Sequence, residues 1–109
     1  MTTTFKNKGS AAVGAAPVTV YTVPGATTVV VQGMVIANIL ATDILVTVTW
    51  TDSSAAATYN LVKDAPIPAG GSIVIIDNNK LNLETADDIK VTSNTAASAD
   101  VSLSYMAIA

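Results

Sequence analysis

From Pro17 onward, short runs rich in Val, Ile and Thr are interrupted by turn residues too often for a helical period to develop, and this rhythm constrains the fold more than any other feature. Residues 44–51 (ILVTVTWT) show it best. Val46, Val48 and Trp50 fall on one face and Thr47, Thr49 and Thr51 on the other, the period-two pattern of a half-buried strand. Branched side chains lose rotamer freedom in helices but pack well on a pleated surface, so their abundance points the same way.

The same reading predicts strands over residues 18–23, 28–37, 58–62, 72–76, 80–84, 88–92 and 100–108. They are separated by turn signals such as Pro24-Gly25, Asp52-Ser53-Ser54, the 66–71 corner (PIPAGG) and Asp77-Asn78-Asn79. About eight short strands in 109 residues, with no helical segment between them, suit an all-β antiparallel β-sandwich of the jelly-roll or immunoglobulin-like kind. Residues 1–16 (MTTTFKNKGSAAVGAA) are small, polar and without sustained period. They are read as an extended N-terminal arm, with the sandwich domain occupying 17–109.

Two runs break the alternation. Residues 29–36 (VVVQGMVI) and 73–76 (IVII) are apolar on both faces, whereas the outward face of a small antiparallel sandwich should be polar. Either the arm covers them or another subunit does, and association is the more economical explanation for so small an aliphatic core. The candidate interface residues are therefore Val30, Met34 and Ile36 on the doubly apolar strand, with Phe5, Lys6 and Lys8 on the arm.

Absent residue types narrow the chemistry. Cys, His and Arg are all missing. Without Cys there is no disulfide framework or thiolate metal site, and without His the commonest general base and transition-metal ligand are gone. Five Lys against eight acidic residues and no guanidinium fork argue against nucleic acid. No residue between Lys8 and Asp43 is charged, but Pro17, Pro24, Gly25, Gln32, Gly33 and Asn38 interrupt that stretch, which argues against a membrane span. The stretch after Lys8 is too short and Gly-broken for a secretory signal.

Asp87-Asp88 with Asp77 and Glu84 nearby offer carboxylates of the kind Ca²⁺ takes, yet they sit where strand-flanking turns need acidic residues and lack EF-hand spacing. Tyr21, Tyr59, Tyr105 and Trp50 are the only aromatic platform for a sugar. Because Trp50 shares a face with Val46 and Val48, they are read as core fillers with polar tips. No catalytic residue, metal ligand or cofactor site is assigned, and the chain is read as a non-enzyme.

Several turn motifs carry a resemblance. Tyr21-Thr22-Val23-Pro24 opens the domain, residues 61–70 (LVKDAPIPAG) form a corner, and residues 80–84 (KLNLE) and 89–93 (IKVTS) flank the last turn. These resemble the Tyr-x-Val-Pro, Leu-Val-Lys-x-x-Pro-Ile-Pro-x-Gly and Leu-x-Leu-Glu-x-Gly-Asp elements of small virion structural proteins of tailed bacteriophages. The likeness spans roughly residues 20–106. Glu84-Thr85-Ala86-Asp87 lacks the glycine of the third element, so a different turn shape is expected there. The resemblance implies a capsid decoration or cement protein on the outer surface of the virion. Its partner would be the major capsid protein, and it would act as a homo-oligomer, a trimer before a dimer. The alternative is a receptor- or carbohydrate-binding module of a phage tail, neck or surface appendage.

Overall fold

The computed structural model describes residues 2–77 and 80–109. Among them are nine strands: β1 (Thr3–Val13), β2 (Val18–Thr22), β3 (Thr28–Asn38), β4 (Ile44–Asp52), β5 (Ala57–Ile67), β6 (Ser72–Ile76), β7 (Leu81–Leu83), β8 (Asp88–Ser93) and β9 (Ala99–Ile108). All pairings are antiparallel. The larger sheet runs β1-β9-β3-β6 with β7 also on β3, and the smaller runs β2-β8-β4-β5.

The connectivity follows from rolling up one long ribbon. The β4–β5 hairpin is its tip, and β3 with β6 and β7, β2 with β8, and β1 with β9 are successive rungs behind it. Rolling then closes β9 onto β3 and β8 onto β4. This is the jelly-roll form of the expected sandwich. Between the sheets lies an aliphatic core that includes Val29, Val31, Met34 and Ile36 from β3, Val46 and Val48 from β4, Ile89 and Val91 from β8, and Val101 and Leu103 from β9.

The doubly apolar run on β3 has a specific cause. Its register against β9 shifts between Val31 and Gly33, so the inward set changes parity from Val29 and Val31 to Met34 and Ile36. A bulge turns a strand's side chains over by one position. Met34 and Ile36, expected at an interface, are fully buried in the chain's own core, and only Val30 of the three faces outward. On β6, the shift between Met34/Ile76 and Val35/Val74 likewise puts Ile76 inside and leaves Val74 57% exposed.

Most of the expected N-terminal arm is paired into the larger sheet. Residues 3–13 are the edge strand of the larger sheet, in register from Thr3↔Ile108 to Ser10↔Val101 and, past a shift, Val13↔Ala99. Their composition gives little strand signal. The pairing is imposed by the open edge of β9, which satisfies its main-chain groups with any chain laid alongside. This strand also does not cover β3 or β6, because it lies on the far side of β9.

Two turns fix the corners. The 66–71 corner ends in a turn in which Gly71 N donates to Pro68 O at 2.8 Å and Gly70 takes φ 68, the type II geometry that favours glycine. Buried Asn38 holds that corner. Its Nδ2 donates to Thr42 O, Ile67 O and Pro68 O, and its Oδ1 accepts from Leu40 N. Pro66 sits on β5, an edge strand, where a missing N–H is tolerated. The turn over residues 84–87 corrects the expectation set by its missing glycine: Asp87 N donates to Glu84 O at 3.0 Å and Ala86 itself adopts φ 71. The expected turn at Asp77-Asn78-Asn79 falls largely outside the described residues.

Candidate assembly surface

Directly paired residues in an antiparallel ladder share a face, so the register of the larger sheet defines its outer surface. One cross-strand row reads Phe5, Met106, Val30, Asn82; the next reads Thr3, Ile108, Thr28. Further along, Val35 lies between Ser102 and Val74. Phe5 is 70% exposed, and Val35 and Val74 are exposed with it. None of the residues in these rows is charged; Asp100, paired with Ala37 at the β9 end, accepts at its Oδ1 from Ala12 N at 2.9 Å. An uncharged sheet face with an unburied Phe and several branched residues is the chain's main departure from an ordinary solvent-facing surface.

The second feature is β1 itself. Among the described residues no strand lies on its far side, and residues 3–9 are exposed on both faces. Lys6 and Lys8 pair with Tyr105 and Leu103, so they lie on the face opposite Phe5, turned toward the smaller sheet. Both are exposed all the same. The structure therefore separates the three candidate residues of the arm: Phe5 joins the outer apolar row with Val30, Lys6 lines the gap between the sheets, and Lys8 lies further along the same face of β1.

That gap is an open groove of about 260 Å³, lined in part by Thr4, Lys6, Tyr21, Pro24 and Tyr105. The Tyr21 and Tyr105 rings are 4.5 Å apart at 35°. Burial, with the Tyr105 hydroxyl and its charge adding, pushes the Tyr21 hydroxyl up to about 12, so it stays protonated at neutral pH.

The remaining aromatics form a separate pair on β4 and β5, Trp50 and Tyr59, with centroids 5.1 Å apart at 32°. Trp50 packs against the core as expected, and Tyr105 is buried; Tyr59 is 47% exposed and is not a core filler. The four aromatics therefore stack as two pairs, with Tyr21 and Trp50 on either side of Ile89 in one cross-strand row.

The carboxylates also disperse. Asp87, 2% exposed, accepts from Ser53 N at 2.9 Å, Ser53 Oγ at 3.1 Å and Glu84 N at 2.9 Å. Burial alone would raise its carboxyl, but the hydrogen bonds from Ser53 and Glu84 outweigh it and hold the group below its ordinary value. Asp87 thus ties the 84–87 turn to the end of β4. Asp88 pairs instead with Lys90 at 3.3 Å. Among the described residues no three acidic groups come together as metal ligands would.

No protein-family model matches the sequence, and no curated protein matches it. Solved structures share its fold at low identity. A chain from the structure titled "Bacillus endospore appendages form a novel family of disulfide-linked pili" superposes with TM-score 0.54 at 12% identity, covering 97% of this chain and 85% of that one. A chain of infectious bursal disease virus, Gx strain, gives TM-score 0.54 at 9% identity over 96% of this chain and 36% of that one. The Gt strain gives 0.50 at 8%, over 97% and 32%. This chain therefore spans about a third of the viral chains' length. Lacking Cys, it has no means of the disulfide linkage named for the pili.

Proposed function

We propose that this chain is a non-enzymatic structural subunit that decorates a tailed-phage capsid from outside, bridging neighbouring major capsid proteins and cementing the shell as a homo-oligomer, with three copies around a local threefold. The observation that carries this reading is the outer face of the larger sheet: Phe5, Met106, Val30 and Ile108 in adjoining uncharged rows, with Val35 and Val74 beyond. Burying such a face against protein returns roughly 25 cal/mol per Å² of apolar area. A repeated lattice then turns modest single contacts into a stable coat. The resemblance of the turn motifs to those of small phage virion proteins points to the same setting. A sandwich of this architecture in pilus and virus chains is consistent with it at the level of fold.

The test is cryo-electron microscopy of the virion that carries this chain. Jelly-roll density in regular copies over capsomer junctions is the expected result. Absence from the head with density at the tail would favour the second reading, a receptor- or carbohydrate-binding module, for which the half-exposed Trp50–Tyr59 pair is the supporting observation.

A further inference from the structure

Residues 3–10 are attached to the rest of the chain in an unusual way. β1 packs against β9 and touches little else, and residues 3–9 leave every side chain exposed. What holds the segment is its main-chain ladder, which runs from the Thr2–Ala109 pair to Ser10↔Val101. The sole buried apolar side chain of β1 is Val13, beyond the register shift that follows Ser10. Val13 is anchored independently, since its carbonyl accepts from Ser98 N at 3.0 Å.

Between the ladder and that anchor lies Ala12, at φ 54. The left-handed region is disfavoured for a residue with a Cβ, and here it is sustained by the bond from Ala12 N to Asp100 Oδ1. The chain thus has a peripheral strand held by backbone alone, a strained hinge next to it, and a fixed anchor beyond. Strained short hinges next to a detachable element favour exchange between copies.

From this juxtaposition we infer that residues 3–10 exchange between copies of this chain, each copy laying its β1 segment on the β9 edge of a neighbour. Every ladder bond lost within one chain is regained in the other, and the Ala12 hinge is free to relax to an extended conformation. Charge favours a second copy as the recipient. Lys6 and Lys8 give the segment +2, so in a chain of net charge −3 the body that receives it carries −5. The crossing is made by the stretch from Ser10 to Val13, about 10 Å of extended chain, so the two bodies must sit edge to edge. This inference rests on the reading of the chain as a subunit of an assembly.

The test uses the absence of native Cys. Thr2 and Ala109 exchange both main-chain hydrogen bonds, and hydrogen-bonded and non-hydrogen-bonded pairs alternate along an antiparallel ladder. Five steps on, Asn7↔Ser104 is a non-hydrogen-bonded pair, whose Cα separation suits a disulfide. Full-length Asn7→Cys chains are mixed with isotopically labelled Ser104→Cys chains and, separately, with labelled Lys63→Cys chains as an exposed off-register control, then oxidised. Thiols held in register meet at high effective concentration, so the 7–104 disulfide between chains should exceed the 7–63 product about tenfold or more. Equal yields would overturn the inference.

The chain carrying both Asn7→Cys and Ser104→Cys supplies the second arm. Once its internal disulfide closes it should remain a monomer, and reductant should restore the oligomer. If the closed form assembles as wild type does, exchange is refuted while the assembly reading stands. If the wild type stays monomeric at every concentration and no 7–104 product forms, both fall.

Discussion

β1 and β3 are the same length, eleven residues each, and flank the same strand, β9, in the same sheet. They share almost nothing else. β3 alternates buried and outward side chains through a bulge and supplies Val29, Val31, Met34 and Ile36 to the core, whereas β1 buries only Val13. Hydrogen bonding alone thus makes a strand of either sequence, but only β3 contributes the apolar burial that stabilises the fold. The outer face that both strands build is left over for another protein.

The largest expected effect tests the β3 side of this contrast. Ile36→Ala should cost about 2–5 kcal/mol in chemical denaturation, the usual range for a fully buried aliphatic truncation. A loss below about half a kcal/mol would mean that Ile36 does face a partner. Next is the buried polar tie outside both strands. Asp87→Asn should cost about 1–3 kcal/mol at neutral pH by weakening three hydrogen bonds to an ionised acceptor. Because the folded chain holds the Asp87 carboxyl low, its contribution is complete above the ordinary carboxyl range and is lost as pH falls through the lowered value. The variant's stability should accordingly depend less on pH along the acid limb, as thermal melts would report.

Two smaller effects probe β1. Ala12→Gly removes a left-handed Cβ and should stabilise the closed monomer by up to about 1 kcal/mol, read as a shifted denaturation midpoint. A decrease would place the strain elsewhere. Phe5→Ser should change monomer stability by less than about half a kcal/mol, yet weaken self-association in a dilution series. Unchanged association would remove Phe5 from the interface.

The contrast also explains what was legible in the sequence. β2, β4, β6, β8 and β9 lie within a residue or so of the expected segments, because period-two patterning and turn chemistry act locally there. β5 runs past Val62 to Ile67, since an edge strand accepts Pro66. β1 was not legible as a strand because its pairing comes from the vacancy beside β9. At the candidate site, the excess apolar character of 29–36 was plain, but its faces were misassigned at Met34 and Ile36. Gln32-Gly33, a glycine inside a strand pattern, was the signal for the parity change. Phe5 and Val30 meeting through Met106 depends on long-range register that no local pattern encodes.

Sedimentation velocity of wild type beside Val30→Asp tests the central claim most directly, because Val30 sits mid-row on the outer face and not in the core. The wild type should sediment as an oligomer and the variant as a folded monomer with unchanged circular dichroism. An oligomer of the same size in both would contradict the claim.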